Sequence, residues 1–297
     1  MQNTQSTHWK AYGFLLLASL LWAGNTILGR GLATQINPLA LSFWRWYLAL
    51  SCILVITARH LPAHWPEIKA RWKTLVALSI FGVVGYNAFQ YWSLQYSPAI
   101  NIALVASAIP VVILPMSVLV LGVRPGWRAW LGVAISLSGV LLVIARGDAQ
   151  RLASLSISQG DGIMFIAVLS WGVYTMILRK YPLNMPTLVS LTLQITLGTL
   201  ILLPGYLLER HFTGDFTVQP QLLGALFYLA ICPSILSYMC WDKGVTLIGA
   251  PAAGIFINFI PVFAALLAVL FLGEHFHWYH ATGLALLMGG VLLINKK

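Results

Sequence analysis

The sequence predicts an all-α integral membrane protein with ten transmembrane helices, arranged as two inverted five-helix repeats. Three observations lead to this prediction: the composition, an internal duplication, and the distribution of lysine and arginine along the chain. Of the 297 residues, 59% are hydrophobic and only 8% are charged, and the mean hydropathy is +0.84. Such a composition does not provide a water-facing surface, so we place the chain in a lipid bilayer.

The duplication is clearest in the stretch Ile109–Val143, which returns late in the chain as Ile260–Ile294. One offset, 261 − 110 = 151, places Pro110 on Pro261, and it also superposes several pairs of glycines and tryptophans. A repeat of this length determines the fold, because each copy is one structural unit. Here the unit is half of the protein.

Ten segments are apolar over the roughly 20 residues that a helix needs to cross a bilayer. They are residues 12–31, 39–58, 74–94, 99–121, 128–146, 161–179, 187–208, 221–242, 249–272 and 278–295. The first is expected to be a retained helix, with a cleaved signal peptide as the alternative, because no small-residue cleavage site follows it. We therefore assign residues 1–146 to the first repeat, 147–160 to a connecting segment and 161–297 to the second repeat.

The basic residues between these spans predict the orientation. Twelve lie on one side, namely Lys10, Arg59, Lys69, Arg71, Lys73, Arg124, Arg128, Arg179, Lys180, Lys243, Lys296 and Lys297, and four on the other, namely Arg30, Arg146, Arg151 and Arg210. Because basic loops stay in the cytoplasm, both termini are predicted to be cytoplasmic. Five spans per repeat is an odd number, so the second repeat must cross the membrane in the opposite direction to the first.

Polar and aromatic residues recur at helical spacing near the middle of several spans, and we predict that they line a substrate cavity between the repeats. Trp22, Asn25 and Thr26 share one helix face, and Trp171, Tyr174 and Thr175 repeat it about 150 residues later. The other candidates are Ser79, Tyr86, Asn87, Gln90, Ser107, Ser234, Tyr238, Trp241 and Asn258. For any one of these residues, hydrogen bonding between helices is an equally good interpretation. The repeated Trp face favours a cavity wall for the whole set.

Pro110 and Pro261 are the candidate hinges, since each lies near the middle of its predicted span. Proline inside a helix removes one backbone hydrogen bond and clashes with the preceding turn. A static kink is an equally good interpretation, because membrane helices tolerate proline.

The charged residues bear on the substrate. No Asp, Glu, Lys or His lies near mid-depth, which favours a neutral or zwitterionic solute with an apolar or aromatic side chain. Arg45 is the one charge well inside a span, and we expect a structural pair with Glu274 or with helix carbonyls at the outer end. Extension of Arg45 to the interface is the alternative. A guanidinium in a central cavity would contradict both and would make Arg45 an anchor for carboxylates.

Several classes of function are disfavoured. The net charge of +10 comes from short basic segments that suit anionic lipid, so no nucleic-acid partner is expected. The three cysteines have no metal or disulfide spacing, and His275, His277 and His280 are better explained as interface anchors than as ligands, so we predict neither a metal nor a cofactor. An enzyme would need an acid pair, a metal set or an activated nucleophile at depth, and none is visible. A monomer is compatible with the sequence.

The duplicated five-span pattern, the Leu272–Glu274 motif and the glycine-rich last helix from Gly283 to Gly290 resemble the EamA branch of the drug/metabolite transporter superfamily. Within it, the chain looks like the bacterial aromatic amino acid exporters. This resemblance implies a secondary transporter in the inner membrane that exports aromatic and other neutral amino acids by alternating access. Another small metabolite or a cationic drug is the alternative substrate. Val123 stands where the second repeat has Glu274, so a role of that glutamate is not duplicated.

Overall fold

The computed structural model describes residues 2–122, 124–148, 150, 158–248 and 255–295, and its regular structure is helical throughout these ranges. In the first half the α-helices are α1 (Gln2–Gly31), α2 (Pro38–Thr57), α3 (Trp65–Leu78), α4 (Asn87–Tyr96), α5 (Ala99–Ala106), α6 (Ile109–Leu121) and α7 (Trp127–Ile144). In the second half they are α8 (Gln159–Lys180), α9 (Thr187–Thr213), α10 (Pro220–Ile231), α11 (Ser237–Ile248), α12 (Phe259–Leu272) and α13 (Trp278–Asn295). The predicted all-α fold class is confirmed.

Eight helical stretches in the described part of the chain are long and apolar enough to cross a membrane. They are Trp9–Gly31, Pro38–His60, Pro62–Tyr96, Ala99–Leu121, Trp127–Ile144, Gln159–Lys180, Thr187–Thr213 and Pro220–Ile248. Two shorter apolar helices follow, Phe256–Leu272 and Trp278–Leu293. Helices satisfy their own backbone hydrogen bonds, which is why an apolar chain of this kind can lie in lipid.

Each half contains a break in the span that precedes its proline. In the first half the break is at Ser107, with φ −67° and ψ −8°, between α5 and α6. In the second it is at Asn258, with φ −67° and ψ −10°, where a 3₁₀ turn meets α12. The two residues are 258 − 107 = 151 positions apart, which is the offset of the duplication.

The position of the prolines corrects one detail of the sequence prediction. Pro110 does not interrupt a continuous helix but lies in the first turn of α6, where its missing N–H removes no helical hydrogen bond. Pro261 likewise lies in the first turn of α12 and is buried. The prolines therefore follow the breaks, and the change of direction occurs at Ser107 and Asn258.

A second matched irregularity is π-helical. The third membrane stretch contains a π-helical segment at Ser79–Tyr86, and the eighth contains one at Cys232–Leu236. A π-helix leaves backbone carbonyls without their usual i+4 partner, so side chains can bind them, and such segments occur frequently at functional sites.

The last helix of each half packs against the other through glycine. A Cβ atom added at Gly139 in α7 would lie 2.7 Å from the carbonyl oxygen of Gly283 in α13. Gly290 meets the carbonyl oxygen of Gly132 in the same way. The two contacts correspond to each other, because the offset of 151 places Gly132 on Gly283 and Gly139 on Gly290. Small residues at these points let the two helix backbones approach closely, as is common in membrane bundles.

Contacts between the halves define two ends of the bundle. At the lysine end, where Lys73, Lys180 and Lys243 lie, the backbone N–H of Asn184 donates to Glu67 at 3.3 Å. At the glutamate end, where Glu209 and Glu274 lie, Asn37 donates to Thr213 at 2.7 Å.

Candidate functional site

Arg45 in α2 is the centre of a buried polar network. Its side chain is 3% exposed. Nε donates to Oγ of Ser234 at 2.9 Å, and Nη1 donates to Oδ1 of Asn87 at 2.6 Å and to the hydroxyl of Tyr91 at 2.9 Å. One face of the guanidinium lies 4.4 Å from the ring centroid of Trp46. Arg45 thus connects three membrane-spanning stretches, the second, the third and the eighth, at one point.

The predicted pair of Arg45 with Glu274 is wrong. Glu274 accepts the backbone N–H groups of Ala99, at 2.7 Å, and Ile100, at 3.0 Å, at the start of α5. A carboxylate at a helix N-terminus is stabilised by the unpaired N–H groups and by the helix dipole. The negative charge of Glu274 is therefore stabilised without an arginine. Arg45 also does not extend to the interface, because its side chain points into the bundle and is buried.

The two π-helical segments position two of the three Arg45 partners. Asn87 directly follows the first segment, and its Nδ2 donates to the carbonyls of Gly82 at 3.0 Å and Val83 at 3.2 Å. Ser234 lies in the second segment and donates to the carbonyl of Leu229 at 2.8 Å. With its amide nitrogen occupied in this way, Asn87 presents Oδ1 to Arg45. Each half of the chain therefore supplies one oriented acceptor.

The network continues into α1. The Tyr91 hydroxyl donates to Oδ1 of Asn25 at 2.6 Å, and Asn25 Nδ2 donates to Oε1 of Gln90 at 3.1 Å. Gln90 Nε2 in turn donates to Oγ1 of Thr26 at 3.4 Å. All of these side chains are buried, and each amide is oriented by a neighbour. The structure thus brings together Asn25 and Thr26 of the first membrane-spanning stretch, Asn87 and Gln90 of the third, and Ser234 of the eighth.

Two aromatic pairs join the halves near this network. Trp22 meets Tyr238 edge to face with ring centroids 5.7 Å apart, and its Nε1 donates to the Pro233 carbonyl at 3.1 Å. Trp171 lies 5.0 Å from Tyr86. The pairs correspond to each other, since 171 − 22 = 149 and 238 − 86 = 152. Each Trp contacts a Tyr from the opposite half of the chain, and two further rings extend the pairs, Trp241 next to Trp22 and Tyr174 next to Trp171.

A cavity of about 270 Å³ lies between these aromatic residues and the lysine end. Tyr174 and Tyr238 form its inner wall, and residues of the 182–187 region line its mouth. The full lining is Tyr174, Leu178, Pro182, Leu183, Met185, Thr187, Ser190, Leu191, Gln194 and Tyr238. The cavity is therefore open toward the lysine end and bounded at depth by rings that touch the two Trp residues.

Four predicted site residues do not join the network. Ser79, Ser107 and Thr175 each donate to the carbonyl four residues earlier in their own helix. Asn258 lies half-buried at the break before α12. The structure thus places Ser107 and Asn258 at the matched helix breaks, a position that the sequence prediction had given to the prolines.

Some residues of the site were not predicted. Tyr91 links Arg45 to Asn25, and the signal was available, because it lies four residues after Asn87 and so on the same helix face. Gln194 and Ser190 line the cavity, and Gln194 donates to Ser190 at 2.9 Å. None of the residues that the sequence predicts for the site lies in their span, 187–208.

The histidine interpretation also needs a correction. His280 is 3% exposed, so it is not an interface anchor; its Nε2 lies 3.0 Å from Oδ1 of Asn101 in α5, and its Nδ1 accepts the N–H of His277. It helps to hold α13 against α5. Within the described residues, no group of His, Cys, Asp and Glu has an arrangement that could hold a metal ion.

Comparison with known proteins identifies the family. A family model described as EamA-like transporter family matches residues 9–145 and matches again over residues 158–296. The chain belongs to this family. The resemblance seen in the sequence is confirmed, as is the two-repeat architecture, and membership makes the chain a multi-pass membrane transporter.

Relatives support the same assignment. An uncharacterized transporter of Archaeoglobus fulgidus is 27% identical over 288 residues, which cover 97% of this chain and 98% of the relative. A protein of Streptantibioticus cattleyicolor named "Probable terminal-alkyne amino-acid exporter" is 25% identical over 232 residues, covering 77% and 76%. A solved crystal structure is similar with a TM-score of 0.63 at 22% identity, covering 97% of this chain and 96% of the other. At that identity the likeness supports the fold alone.

Proposed function

We propose that this transporter exports aromatic and other neutral amino acids across the cell membrane by alternating access. The observation that carries the proposal is the cavity that opens at the lysine end and is bounded at depth by Tyr174 and Tyr238, next to the two cross-repeat Trp–Tyr pairs. Aromatic faces suit the apolar side chain of the solute, and the Arg45 network provides polar groups for its other end.

The orientation belongs to this proposal. We take all ten apolar stretches as membrane crossings, with the second repeat inverted relative to the first and with the lysine end in the cytoplasm of a cell with an inner membrane. Twelve basic residues against four support this placement. An open lysine end then faces the compartment from which an exporter takes its substrate.

Transport needs a second state, open at the glutamate end. We place the bending at the matched breaks, Ser107 before Pro110 and Asn258 before Pro261, where helix continuity is already lost. α5 would then move relative to α6 and separate from Glu274. Hinges of this kind occur at a few residues that absorb a change in backbone angles, while the helices on either side stay rigid.

The proposed substrate class follows from charge. Arg45 carries a buried positive charge at the centre, so a cationic solute at this site would be repelled, and this disfavours the cationic-drug alternative. A neutral amino acid carries no net charge, and its ammonium group can lie on the faces of Trp22 or Trp171. The S. cattleyicolor relative, whose printed name is that of an amino-acid exporter, supports the same class.

Counterflow in proteoliposomes tests this proposal. Vesicles loaded with unlabelled substrate are given labelled phenylalanine, threonine or a cationic dye, at several pH gradients. We expect saturable exchange of the amino acids and none of the dye. Uptake of the dye alone, or of nothing, would exclude the proposed substrate class.

Two variants locate the site. Trp22→Ala and Trp171→Ala should each reduce counterflow at unchanged expression, because each removes a ring that packs against a tyrosine of the inner cavity wall, Tyr238 for Trp22 and Tyr174 for Trp171. Trp130→Ala is the matched control, since Trp130 is 44% exposed on the outside of α7. Wild-type rates in both Trp22 and Trp171 variants would assign these rings to packing.

A further inference from the structure

We propose that Arg45 is the carboxylate anchor of the transporter, and that its Nη2 group binds the carboxylate of the substrate. This inference rests on the proposed function and specifies it, because it names the part of the solute that is recognised. It predicts a site that selects amino acids and other monocarboxylates over the corresponding amines and amides.

The free hydrogen-bonding capacity of Arg45 is the first argument. A guanidinium has five N–H donors. Nε and Nη1 use three of them on Ser234, Asn87 and Tyr91. Nη2, with the remaining two, has no hydrogen-bond partner among the residues that the structure describes. One edge of a planar, oriented guanidinium is thus available, and this is the group that suits carboxylates best.

The unbalanced charge is the second argument. All seven Asp and Glu residues of the chain lie in the described ranges, and within those ranges none forms an ion pair with Arg45. Its three partners are neutral. A buried charge is costly in a membrane bundle unless it is paired, so a residue of this kind commonly marks a substrate or ion site. A bound carboxylate would neutralise it.

Two other arginines, Arg30 and Arg210, have structural roles and differ from Arg45 in their surroundings. Arg30 donates Nη1 to the main-chain carbonyls of Leu94 and Gln95 at the glutamate end. Arg210 is half-exposed and forms an ion pair with Asp215. Neither arginine is buried among neutral side chains. Neither donates to side chains that the π-helical segments of both halves orient, as Asn87 and Ser234 are oriented toward Arg45.

The position of Arg45 sets the orientation of the substrate. Its partner Ser234 lies one helical turn closer to the glutamate end than Tyr238, which lines the cavity. A solute entering from the lysine end would therefore have its carboxylate foremost and its side chain between the rings.

A matched series of four compounds tests the inference on the purified wild-type transporter: phenylalanine, 3-phenylpropionate, phenethylamine and phenylalaninamide. Each competes with labelled phenylalanine in a scintillation proximity assay. We expect phenylalanine and 3-phenylpropionate to compete, and the amine and the amide to bind roughly tenfold or more weakly, as loss of a charge-assisted hydrogen bond implies. Equal competition by phenylalanine and phenethylamine would overturn the inference while leaving the proposed function in place.

Variants add a second readout. Arg45→Lys keeps the charge but loses the planar pair of donors, so affinity for phenylalanine should fall roughly tenfold and the preference for 3-phenylpropionate over phenethylamine should shrink. Arg30→Lys is the control and should leave this preference unchanged. An unaltered preference in Arg45→Lys would overturn the inference, and if that variant does not fold, the wild-type series decides alone. Absence of phenylalanine binding together with absence of counterflow would instead reject the proposed function, and the inference with it.

Discussion

The two ends of the bundle are built differently, although the halves of the chain share one ancestor sequence. At the glutamate end, two carboxylates close the structure: Glu274 accepts two N–H groups of α5, and Glu209 accepts those of Leu39 and Ala40 in α2. At the lysine end a cavity of about 270 Å³ is open instead. Carboxylate contacts thus hold the helices together at the glutamate end, whereas the cavity opens at the lysine end.

The sequence explains why the ends differ. At the offset of 151, Glu274 corresponds to Val123, which lies outside the described residues (274 − 151 = 123). At the offset of 149, Glu209 corresponds to His60, next to Arg59 (209 − 149 = 60). Neither position has the carboxylate that could accept the N–H groups of a facing helix. The duplicated halves therefore differ at these terminal positions, and only the glutamate end has the two carboxylate contacts.

The largest effect on counterflow is expected from a cross-link that prevents the glutamate end from opening. Asn37→Cys with Thr213→Cys, in a background where the three native cysteines are alanine, places two thiols at a contact between the halves whose side-chain atoms are 2.7 Å apart. Under alternating access, oxidation should abolish counterflow, and a reductant should restore it. Each single variant is the control. Full transport by the cross-linked protein would contradict opening at this end.

Filling the cavity should have the next largest effect. Ser190→Trp puts a large ring into the space lined by Ser190, Gln194 and Tyr174, so counterflow should fall roughly tenfold or more without loss of folded protein. Ser51→Trp is the matched control, because Ser51 is exposed on α2. If Ser190→Trp transports normally, the substrate does not pass through this cavity.

Removing a carboxylate from the glutamate end should shift the balance between the states. Glu274→Ala leaves the N–H groups of Ala99 and Ile100 without an acceptor, which costs about 1–3 kcal/mol. Thiol labelling of a cysteine at Leu272 from the outside should become roughly tenfold faster, since 1.4 kcal/mol corresponds to a factor of ten. An unchanged labelling rate would show that Glu274 does not hold this end closed.

Removal of a carboxylate at the lysine end should have the smallest effect on counterflow. Glu67 accepts one long hydrogen bond, 3.3 Å from the Asn184 N–H, and lies 3.9 Å from Arg71 on the surface. Exposed interactions of this kind contribute about 0–1 kcal/mol, so Glu67→Ala should alter counterflow by less than about twofold. A large effect, equal to that of Glu274→Ala, would remove the difference between the ends.

The architecture could be predicted from sequence because it depends on long, redundant signals. The 151-residue offset relates the two glycine contacts between α7 and α13 to each other, and it also relates the helix breaks at Ser107 and Asn258. The repeated Trp faces singled out Trp22 and Trp171, and in the structure each contacts a tyrosine of the opposite half, Tyr238 and Tyr86 respectively. Such features follow from periodicity and duplication alone.

The partners of single buried groups could not be predicted in the same way. The sequence predicts that Arg45 pairs with Glu274 or with helix carbonyls at the outer end, whereas its partners are the side chains of Ser234, Asn87 and Tyr91. The N–H groups at the start of α5 bind the Glu274 carboxylate, and only the three-dimensional arrangement shows this. The π-helical segments that orient Asn87 and Ser234 leave no clear periodicity in the sequence, since one extra residue per turn over a short stretch resembles ordinary helix. Ser79 and Thr175 had the right spacing and nevertheless bond within their own helices.

Distances across both ends of the bundle, measured in one preparation, show whether the two ends open and close alternately. Spin labels at Asn37 and Thr213 report the glutamate end, and labels at Glu67 and Asn184 report the lysine end, by double electron–electron resonance with and without saturating phenylalanine. We expect phenylalanine to change both distances in opposite directions. The fraction of molecules with a longer Asn37–Thr213 distance and a shorter Glu67–Asn184 distance should be larger with phenylalanine than without it. Distances that stay constant at both ends, or that lengthen together, would contradict alternating access between a closed glutamate end and an open lysine end.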